Sequence, residues 1–438
     1  MGDIEKHLPR ISETVQRIYE NYKTKGDKEK KRGYLGASII GHECERYLWY
    51  NFRFCVKPNF DGRMYRLFET GDCEEGRFVL NLQSIGCEVY DLDPQTGEQF
   101  EVTAASGHFK GHMDGCARGI PEAPKAWHVL EFKTHNARSF KKLVKAGVLA
   151  SKPMHYAQMM IYMHLTGMKR ALYLAKNKDT DELYSERVRY NRPEAEALQQ
   201  RAERVITAPM PPDRCSSRSD TPPCKWCDAR ELCWGLSQIA VPLAHKTCRS
   251  CCHATPELDT DNGRWSCAKH GQTLTFDAQW RCCPQHLLNP GLITFADVVN
   301  VSKSDAGNDI IEFQNEDGTV WGHGNDNDQH YKTDELISLP GPLVGDDFVK
   351  QVQGVFGGQV VKRDYDPLLT VSVDDDELLF AGSLYCFQQW EDASAWGVIS
   401  PPLKTYHGEK YISCLFPDGV ISKADRENDR IEIWRKKQ

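Results

Sequence analysis

The stretch that decides the fold is "LEFKTH", residues 130–135, taken together with "GHMDG", residues 111–115. Period-two alternation along a strand places Glu131 and Lys133 on one face and turns Phe132 toward the core. If the preceding strand pairs with this one, Asp114 reaches the same face. Burying two carboxylates beside a lysine is costly unless a cation lies between them. The pattern therefore predicts an oxygen-rich Mg²⁺ or Mn²⁺ site, whereas an isolated triplet of this kind is more often a cross-strand ion pair on the surface.

The segments around this pair alternate between helical and extended patterns. Amphipathic spacing predicts a helix over 9–24, a second helix with Ser38 as its N-cap and helical spacing through Trp49, and a longer helix over 62–86. Strands are predicted at 87–92, 98–104, 108–117, 126–134, 170–177 and 183–190, and further helices at 137–148, 153–166 and 192–207. This order indicates an α/β core with a mixed sheet flanked by helices.

Composition and charge limit the possible functions. The chain has 438 residues, enough for two or three domains, and it contains no apolar run of membrane-spanning length. The start "MGDIEKHLPR" has no hydrophobic signal region, so we expect a cytoplasmic location and no membrane partner. Residues 291–438 hold 13 basic and 26 acidic side chains, whereas residues 1–290 hold 42 basic and 36 acidic ones. The mildly basic first part permits DNA as a partner.

Four short motifs in residues 35–240 resemble the PD-(D/E)XK nuclease superfamily, and more narrowly its RecB-like exonuclease branch. They are "FETGDCEEG", "GHMDG", "LEFK" and "QMMIY". The resemblance implies a restriction-endonuclease-like fold and a Mg²⁺- or Mn²⁺-dependent DNA exonuclease. It implies metal ligation by Glu75, Asp114 and Glu131, water activation by Lys133, and positioning of the reactants by Gln158 and Tyr162.

The chain departs from that family pattern at three points. Met113 stands where the superfamily name has Pro. Glu74 lies beside Glu75, so either carboxylate is open as the one that reaches the metal. His155, one helical turn before Gln158, is open as a substrate-facing or a packing residue. Weak candidates for phosphate contacts are basic side chains near these motifs, namely Arg46, Lys110, Arg138, Lys141 and Lys142.

Seventeen cysteines are many for a chain without a secretion signal, and their spacing points to metal rather than to disulfides. Cys224, Cys227 and Cys233 form a C-x₂-C-x₅-C set whose fourth ligand would be Cys44. Either Cys₄ zinc or a [4Fe–4S] cluster can be built from such thiolates. The arrangement resembles iron–sulfur RecB-like exonucleases, such as AddB-type nuclease domains and CRISPR-associated exonucleases. That resemblance implies a [4Fe–4S] cluster that ties the domain together.

A second set of cysteines and histidines predicts structural zinc. The preferred ligands are Cys248, Cys251, Cys267 and Cys283, and the alternates are His270, Cys282 and His286. Cys252 and His253 are weaker candidates. Most of the seven scattered cysteines outside both sets are expected to be ordinary buried thiols.

The resulting domain plan has four parts. An N-terminal helix and basic linker occupy 1–35, the nuclease domain 36–240, a Cys/His zinc module 241–290, and an acidic β-rich domain 291–438 that ends in an SH3-like segment. The acidic domain is expected to bind a protein partner or to guide the substrate, because its charge repels phosphate and makes it a poor general DNA binder. The expected function is DNA exonuclease activity in recombination, repair or replication of a phage or mobile element. The alternatives are an inactive DNA-binding scaffold and an RNA-directed nuclease.

Overall fold

The computed structural model describes residues 12–28, 32–325, 330–338 and 344, and the backbone of seven strands between 366 and 435. The chain divides into two compact units. The first comprises the residues up to 217 together with 255–276, and the second comprises 218–254 together with 277 onward. In the part of the chain that is described, every helix is too short or too polar to span a bilayer.

The first unit contains the helices and strands that the sequence predicts, with an added short strand at Leu35–Gly36 and with one predicted strand divided into two. Its helices are α1 Glu13–Lys28, α2 Glu45–Phe52, α3 Gly62–Ser84, α4 Ala137–Ser151, α5 Pro153–Thr166 and α6 Arg192–Thr207. Its strands are β1 Leu35–Gly36, β2 Glu88–Tyr90, β3 Glu101–Ala104, β4 Phe109–His112, β5 Cys116–Arg118, β6 His128–His135, β7 Arg170–Asn177 and β8 Leu183–Arg189. Beyond these, β9 Ala254–Pro256 lies at the boundary of the units, and β10 Trp265–Cys267 pairs with β11 Gln272–Leu274. The predicted α/β class is confirmed.

The central sheet has the strand order β2-β5-β6-β7-β8. The pair β6 and β7 is parallel, with Glu131 opposite Tyr173, and the chain returns between them through α4 and α5. The other three pairs are antiparallel, so the sheet is mixed. A parallel pair needs a long crossover connection, which the two helices supply. The strands β6 and β7 therefore lie in the interior of the sheet, where both faces can be covered.

Alternation along β6 sorts its side chains between two faces as the sequence predicts. Phe132 is buried in an apolar cluster with Phe78 of α3, and their rings stack with centroids 5.1 Å apart. Leu130 belongs to the same cluster. Glu131 and Lys133 point to the other face of the sheet, which is covered by α5. Tyr173, which pairs with Glu131 on the neighbouring strand, hydrogen-bonds to His155 of that helix. The sheet thus has a dry face toward α3 and a polar face toward α5.

The single strand expected over 108–117 is instead two strands in different sheets. β4 belongs to a three-stranded sheet of order β1-β4-β3, whereas β5 belongs to the central sheet. The break falls at residues 113–115. Gly115 has φ of 136°, and an added Cβ would lie 2.5 Å from the carbonyl oxygen of Tyr90. Only glycine tolerates this turn, and it places Asp114 where the two sheets diverge.

The helix expected to begin at Ser38 begins instead at Glu45. A short 3₁₀ turn covers Ala37–Ile39, and Cys44 is the N-cap residue of α2. The interruption has a steric cause at Gly41, where an added Cβ would lie 2.8 Å from the Cα of Met154 in α5. The backbone at Gly41 therefore packs closely against α5, and this packing prevents the helix from starting at Ser38 despite the helix propensity of the segment.

The second unit is mostly β-structure. A three-stranded antiparallel sheet of β12 Ala296–Lys303, β13 Asp309–Asn315 and β14 Val320–His323 packs Phe313 on Trp321, with ring centroids 4.8 Å apart. The helices are α7 Arg230–Trp234, α8 Phe276–Arg281, which starts at the unit boundary, and α9 Thr333–Leu336. The remaining strands are β15 Asp366–Ser372, β16 Leu379–Phe380, β17 Phe387–Gln388, β18 Lys404–His407, β19 Tyr411–Leu415, β20 Val420–Asp425 and β21 Arg430–Arg435.

The C-terminal strands form a five-stranded sheet of order β15-β21-β20-β19-β18. The sequence predicts a strand pair over 410–434, and the backbone there forms three antiparallel strands. The β-rich character of this part of the chain is therefore confirmed for the strands described. The tryptophans at 390 and 396 and the "VDDDEL" run lie outside the described residues.

Because Phe78 is stacked on Phe132 in the core, substitutions at buried and exposed positions of α3 should differ strongly in their effect on the free energy of unfolding. Phe78→Ala should lower the free energy of unfolding by about 3–5 kcal/mol, because it leaves a cavity in the apolar cluster. Leu80→Ala, two residues along the same helix at a side chain that is 64% exposed, should change it by less than about 0.5 kcal/mol. Urea unfolding followed by circular dichroism measures both variants. Equal destabilisation by the two would contradict the assigned core.

Candidate active site

The polar face of β6 carries a fully buried carboxylate. The side chain of Glu131 has an exposed fraction of 0%, and its Oε1 lies 2.6 Å from Nζ of Lys133. The other oxygen, Oε2, is buried without a hydrogen-bond partner. Burial raises the pKa of Glu131 to about 8, an effect that Lys133 opposes and that Asp114 and Glu75 reinforce. A buried carboxylate oxygen without a hydrogen-bond donor fits a metal ligand.

Asp114 is fixed to β6 from the break between the two sheets. Its Oδ2 accepts a hydrogen bond of 2.7 Å from the backbone N–H of Phe132 and lies 3.7 Å from Nζ of Lys133. This contact brings the aspartate of "GHMDG" and the Glu-x-Lys of "LEFK" together. Three of the residues predicted from the sequence thus converge within the first unit.

Lys133 is the cation between these carboxylates. Burial by itself would lower the pKa of its ammonium group, but Glu131 and Asp114 outweigh that effect and hold the pKa above its ordinary value. The side chain keeps 27% of its surface exposed. An ammonium group donates three hydrogen bonds and accepts none. Lys133 is therefore placed to donate to a bound oxygen and to offset negative charge.

The structure distinguishes the two adjacent glutamates of α3. Glu74 is held away by Lys176, at 2.9 Å, and by Arg77, at 3.5 Å. Glu75 lines the same pocket as Asp114. Burial and the charge of Asp114 raise the pKa of Glu75 to about 7, while Lys133 opposes the rise. Of these two glutamates, Glu75 is consequently the one that joins the acidic group.

Gln158 and Tyr162 face the same pocket from α5. Nε2 of Gln158 donates to the hydroxyl of Tyr162 at 2.9 Å, and that hydroxyl donates to the carbonyl oxygen of His112 at 2.7 Å. An added Cβ on Gly111 would lie 2.5 Å from the Tyr162 ring. Gly111, the first glycine of the "GHMDG" motif, therefore leaves space for Tyr162 of the helical motif.

His155 does not line this pocket. Its Nδ1 lies 2.9 Å from the hydroxyl of Tyr173, and Nε2 of His135 lies 2.9 Å from the same hydroxyl. Burial and the positive charge of Lys133 lower the pKa of His155 to about 3, so the ring is neutral. The packing interpretation of His155 is the one that its contacts support. Nothing in the sequence indicated Tyr173 as its partner, because β7 reads as an ordinary buried strand.

The pocket has a volume of about 320 Å³, and acidic, basic and amide side chains converge on it. Residues that the sequence analysis missed also line it, including Tyr34, Asp72 and His112. Lys110 and His112 alternate along β4, which could have indicated a shared polar face. Lys110 lines the pocket too, paired with Glu101 at 2.7 Å.

The other basic candidates fall into two groups. Arg46 hydrogen-bonds to Tyr50 at 2.9 Å and to the carbonyl oxygen of Pro212 at 3.1 Å, so it braces the fold. Arg138, Lys141 and Lys142 are exposed on α4 at helical spacings of three and four residues. These three therefore share one basic face.

The cysteines predicted as iron–sulfur ligands are distributed between the two units. Cys44 is buried at the N-cap of α2 in the first unit. Cys224 and Cys233 are buried and Cys227 is half-buried in the second unit, where they lie on a 3₁₀ turn and on α7. The backbone N–H of Cys227 donates to the carbonyl oxygen of Cys224 at 3.1 Å, which closes the turn between them.

No family model matches the sequence, and no curated protein matches it. Among solved structures, SSO0001 has a TM-score of 0.30 and 14% identity over 51% of this chain and 96% of that chain. The alkaline exonuclease LHK-Exo from Laribacter hongkongensis has a TM-score of 0.29 and 13% identity over 43% of this chain and 90% of that one. Its complex with dAMP has a TM-score of 0.30 and 15% identity over the same shares. Likenesses at this level carry no argument about activity.

The raised pKa values predict how metal binding depends on pH. Glu75 and Glu131 have pKa values of about 7 and about 8 without metal, so below these values a proton competes with the ion. Affinity for Mn²⁺ should rise up to roughly tenfold per pH unit for each proton displaced, between about pH 6 and pH 8, and then level off. Isothermal titration calorimetry across this range measures the slope. Glu75→Gln should make the slope shallower, whereas Glu74→Gln should leave it unchanged, and a pH-independent affinity would contradict the site.

Proposed function

We propose that this chain is a Mg²⁺- or Mn²⁺-dependent deoxyribonuclease that hydrolyses phosphodiester bonds and digests DNA from its ends. The observation that carries the proposal is the convergence of three carboxylates, Glu75, Asp114 and Glu131, with the ammonium group of Lys133 within the first unit. The chain joins such a site to cysteine-rich and acidic segments. This combination of segments suits an enzyme that acts in recombination, repair or replication of a phage or mobile element.

The residues at the pocket suit the parts of such a reaction. The three carboxylates would hold the ion, which when bound polarises a phosphoryl oxygen and lowers the pKa of water. Lys133 would donate hydrogen bonds to the attacking water and to the phosphate as charge accumulates there. Tyr162, held by Gln158 and His112, fixes the strand that leads into Asp114. Lys110 and the basic face of α4 would contact the DNA backbone.

Substituting the lysine separates catalysis from folding and metal binding. Lys133→Ala should lower the rate of DNA degradation by ~100-fold or more, because the cation that stabilises the developing charge is lost. Mn²⁺ affinity should persist, since all three carboxylates remain. End-labelled linear DNA and closed circular DNA, each with Mg²⁺ and with Mn²⁺, measure the rate and the requirement for an end.

Lys125→Ala is the matched control, because this lysine is exposed and lies outside the pocket. It should retain the full rate. Equal degradation by wild type and Lys133→Ala would remove the lysine from the mechanism. No degradation by either, with DNA binding retained, would favour the scaffold alternative, and a preference for RNA substrates would favour the RNA-directed one.

The iron–sulfur part of the proposal concerns Cys44, Cys224, Cys227 and Cys233. It is supported by the burial of Cys44, Cys224 and Cys233 and by the turn that joins Cys224 to Cys227. Thiolates of this kind ligate [4Fe–4S] clusters, and a cluster at these residues would serve to stabilise the fold.

A colour and metal assay tests the cluster. Protein purified without air should be brown and contain iron, and Cys227→Ala should lose the iron, the visible absorption and thermal stability. Cys215→Ala, at an exposed cysteine outside both sets, is the control and should keep all three. A colourless wild-type protein that carries zinc at these residues would refute the iron assignment.

A further inference from the structure

A cysteine-rich turn in the second unit brings metal-ligating side chains together independently of the pocket above. The turn runs over 247–253 and begins with a 3₁₀ helix at Cys248–Ser250, capped by reciprocal hydrogen bonds between Thr247 and Ser250. The ligand atoms of Cys251, Cys252 and His253 all lie within 4.8 Å of one another. Among the described residues, these three form the one group of His, Cys, Asp or Glu side chains whose ligand atoms are all that close together.

Cys251 is the thiol to which the other two thiols of the turn are linked. Cys252 hydrogen-bonds to Cys251, and Cys248 interacts electrostatically with Cys251. The backbone N–H of Leu287 donates to Sγ of Cys251 at 3.4 Å. Thiols held this close together offer several sulfur ligands to one thiophilic cation.

The imidazole of His253 has an acidic neighbour, Asp309. Nε2 of His253 lies 3.7 Å from Oδ2 of Asp309, and Nζ of Lys303 holds the other carboxylate oxygen at 2.9 Å. A metal-bound histidine usually directs its other ring nitrogen to a carboxylate, which fixes the tautomer and the ring orientation. Asp309 is placed to act on His253 in this way.

We propose that the second unit binds one Zn²⁺ ion through the clustered ligands Cys251, Cys252 and His253. Cys248, which lies outside that cluster but interacts with Cys251, would move in as the fourth ligand, and Asp309 would orient the imidazole of His253. Three thiolates and one imidazole form a closed tetrahedral set, which is the arrangement of structural zinc. The set differs from the one that the sequence spacing predicts, which contains Cys267 and Cys283. It is also independent of nuclease activity.

The other candidates fit this site less well. Both ring nitrogens of His286 are occupied, Nδ1 by Thr333 at 2.9 Å and Nε2 by the carbonyl oxygen of Thr247 at 3.0 Å. His270 is exposed, and Cys267, on β10, is not among the clustered ligands of the turn. Cys282 and Cys283 are the nearest rivals, since the thiol of Cys282 hydrogen-bonds to Cys248 and interacts with Cys251, and Cys283 interacts electrostatically with Cys248.

X-ray absorption at the zinc edge of the full-length wild-type protein tests the ligand set without any substitution. Because the method selects one element, an iron–sulfur cluster elsewhere does not interfere. We expect a first shell of three sulfur atoms and one imidazole nitrogen. A shell of four sulfur atoms would overturn the proposal, as would wild-type protein that neither contains zinc nor takes it up from solution.

Substitutions then identify the residues, with zinc measured by elemental analysis of the purified chain. Cys252→Ala should lose the zinc, and Cys267→Ala, the matched control, should keep it. His253→Cys should retain zinc and change the first shell to four sulfur atoms, which a merely structural histidine would not produce. Zinc retained in Cys252→Ala but lost in Cys267→Ala or Cys282→Ala would overturn the proposed set.

Discussion

The first unit depends on the balance between three carboxylates and one ammonium group at β6. If Glu75, Asp114 and Glu131 were all ionised, Lys133 could neutralise only one of them. Burial makes the surplus negative charge costly, and the raised pKa values of Glu75 and Glu131 are the result of that cost. The fold therefore holds protons at positions where a divalent cation would be the better partner. This charge imbalance, more than any single distance, is the feature of the pocket that a bound cation would relieve.

The same strand connects this charge cluster to the apolar core. The ring of Phe132 stacks on Phe78, and Phe78 lies one turn beyond Glu75 on α3. The backbone N–H of Phe132 also binds the carboxylate of Asp114. Glu131 and Lys133 are its immediate neighbours. Phe132 thus links the apolar core to all four charged groups. A substitution that disturbs the packing of Phe132 should therefore also displace these groups.

The sequence could predict the parts of this arrangement that depend on local periodicity. Alternation placed Glu131 and Lys133 together, and a spacing of four residues placed Gln158 beside Tyr162. It could not predict the break at Gly115 or the delayed start of α2, because both follow from close approach between segments distant in the chain. The choice between Glu74 and Glu75 likewise depended on Lys176, a residue about a hundred positions away. Motif spacing says which residue types are available, and tertiary contacts decide which of them converge.

The two sites place different demands on the chain. The carboxylates come from α3, from the break after β4 and from β6, so the folded unit must exist before they meet, and a cation only relieves repulsion already present. The ligands of the cysteine turn lie within six consecutive positions, so little loop-closure entropy opposes their assembly. A metal there can order its own turn as it binds. The pocket at β6 is consequently suited to an ion that exchanges with solvent and substrate, whereas the turn at 247–253 is suited to an ion that stays.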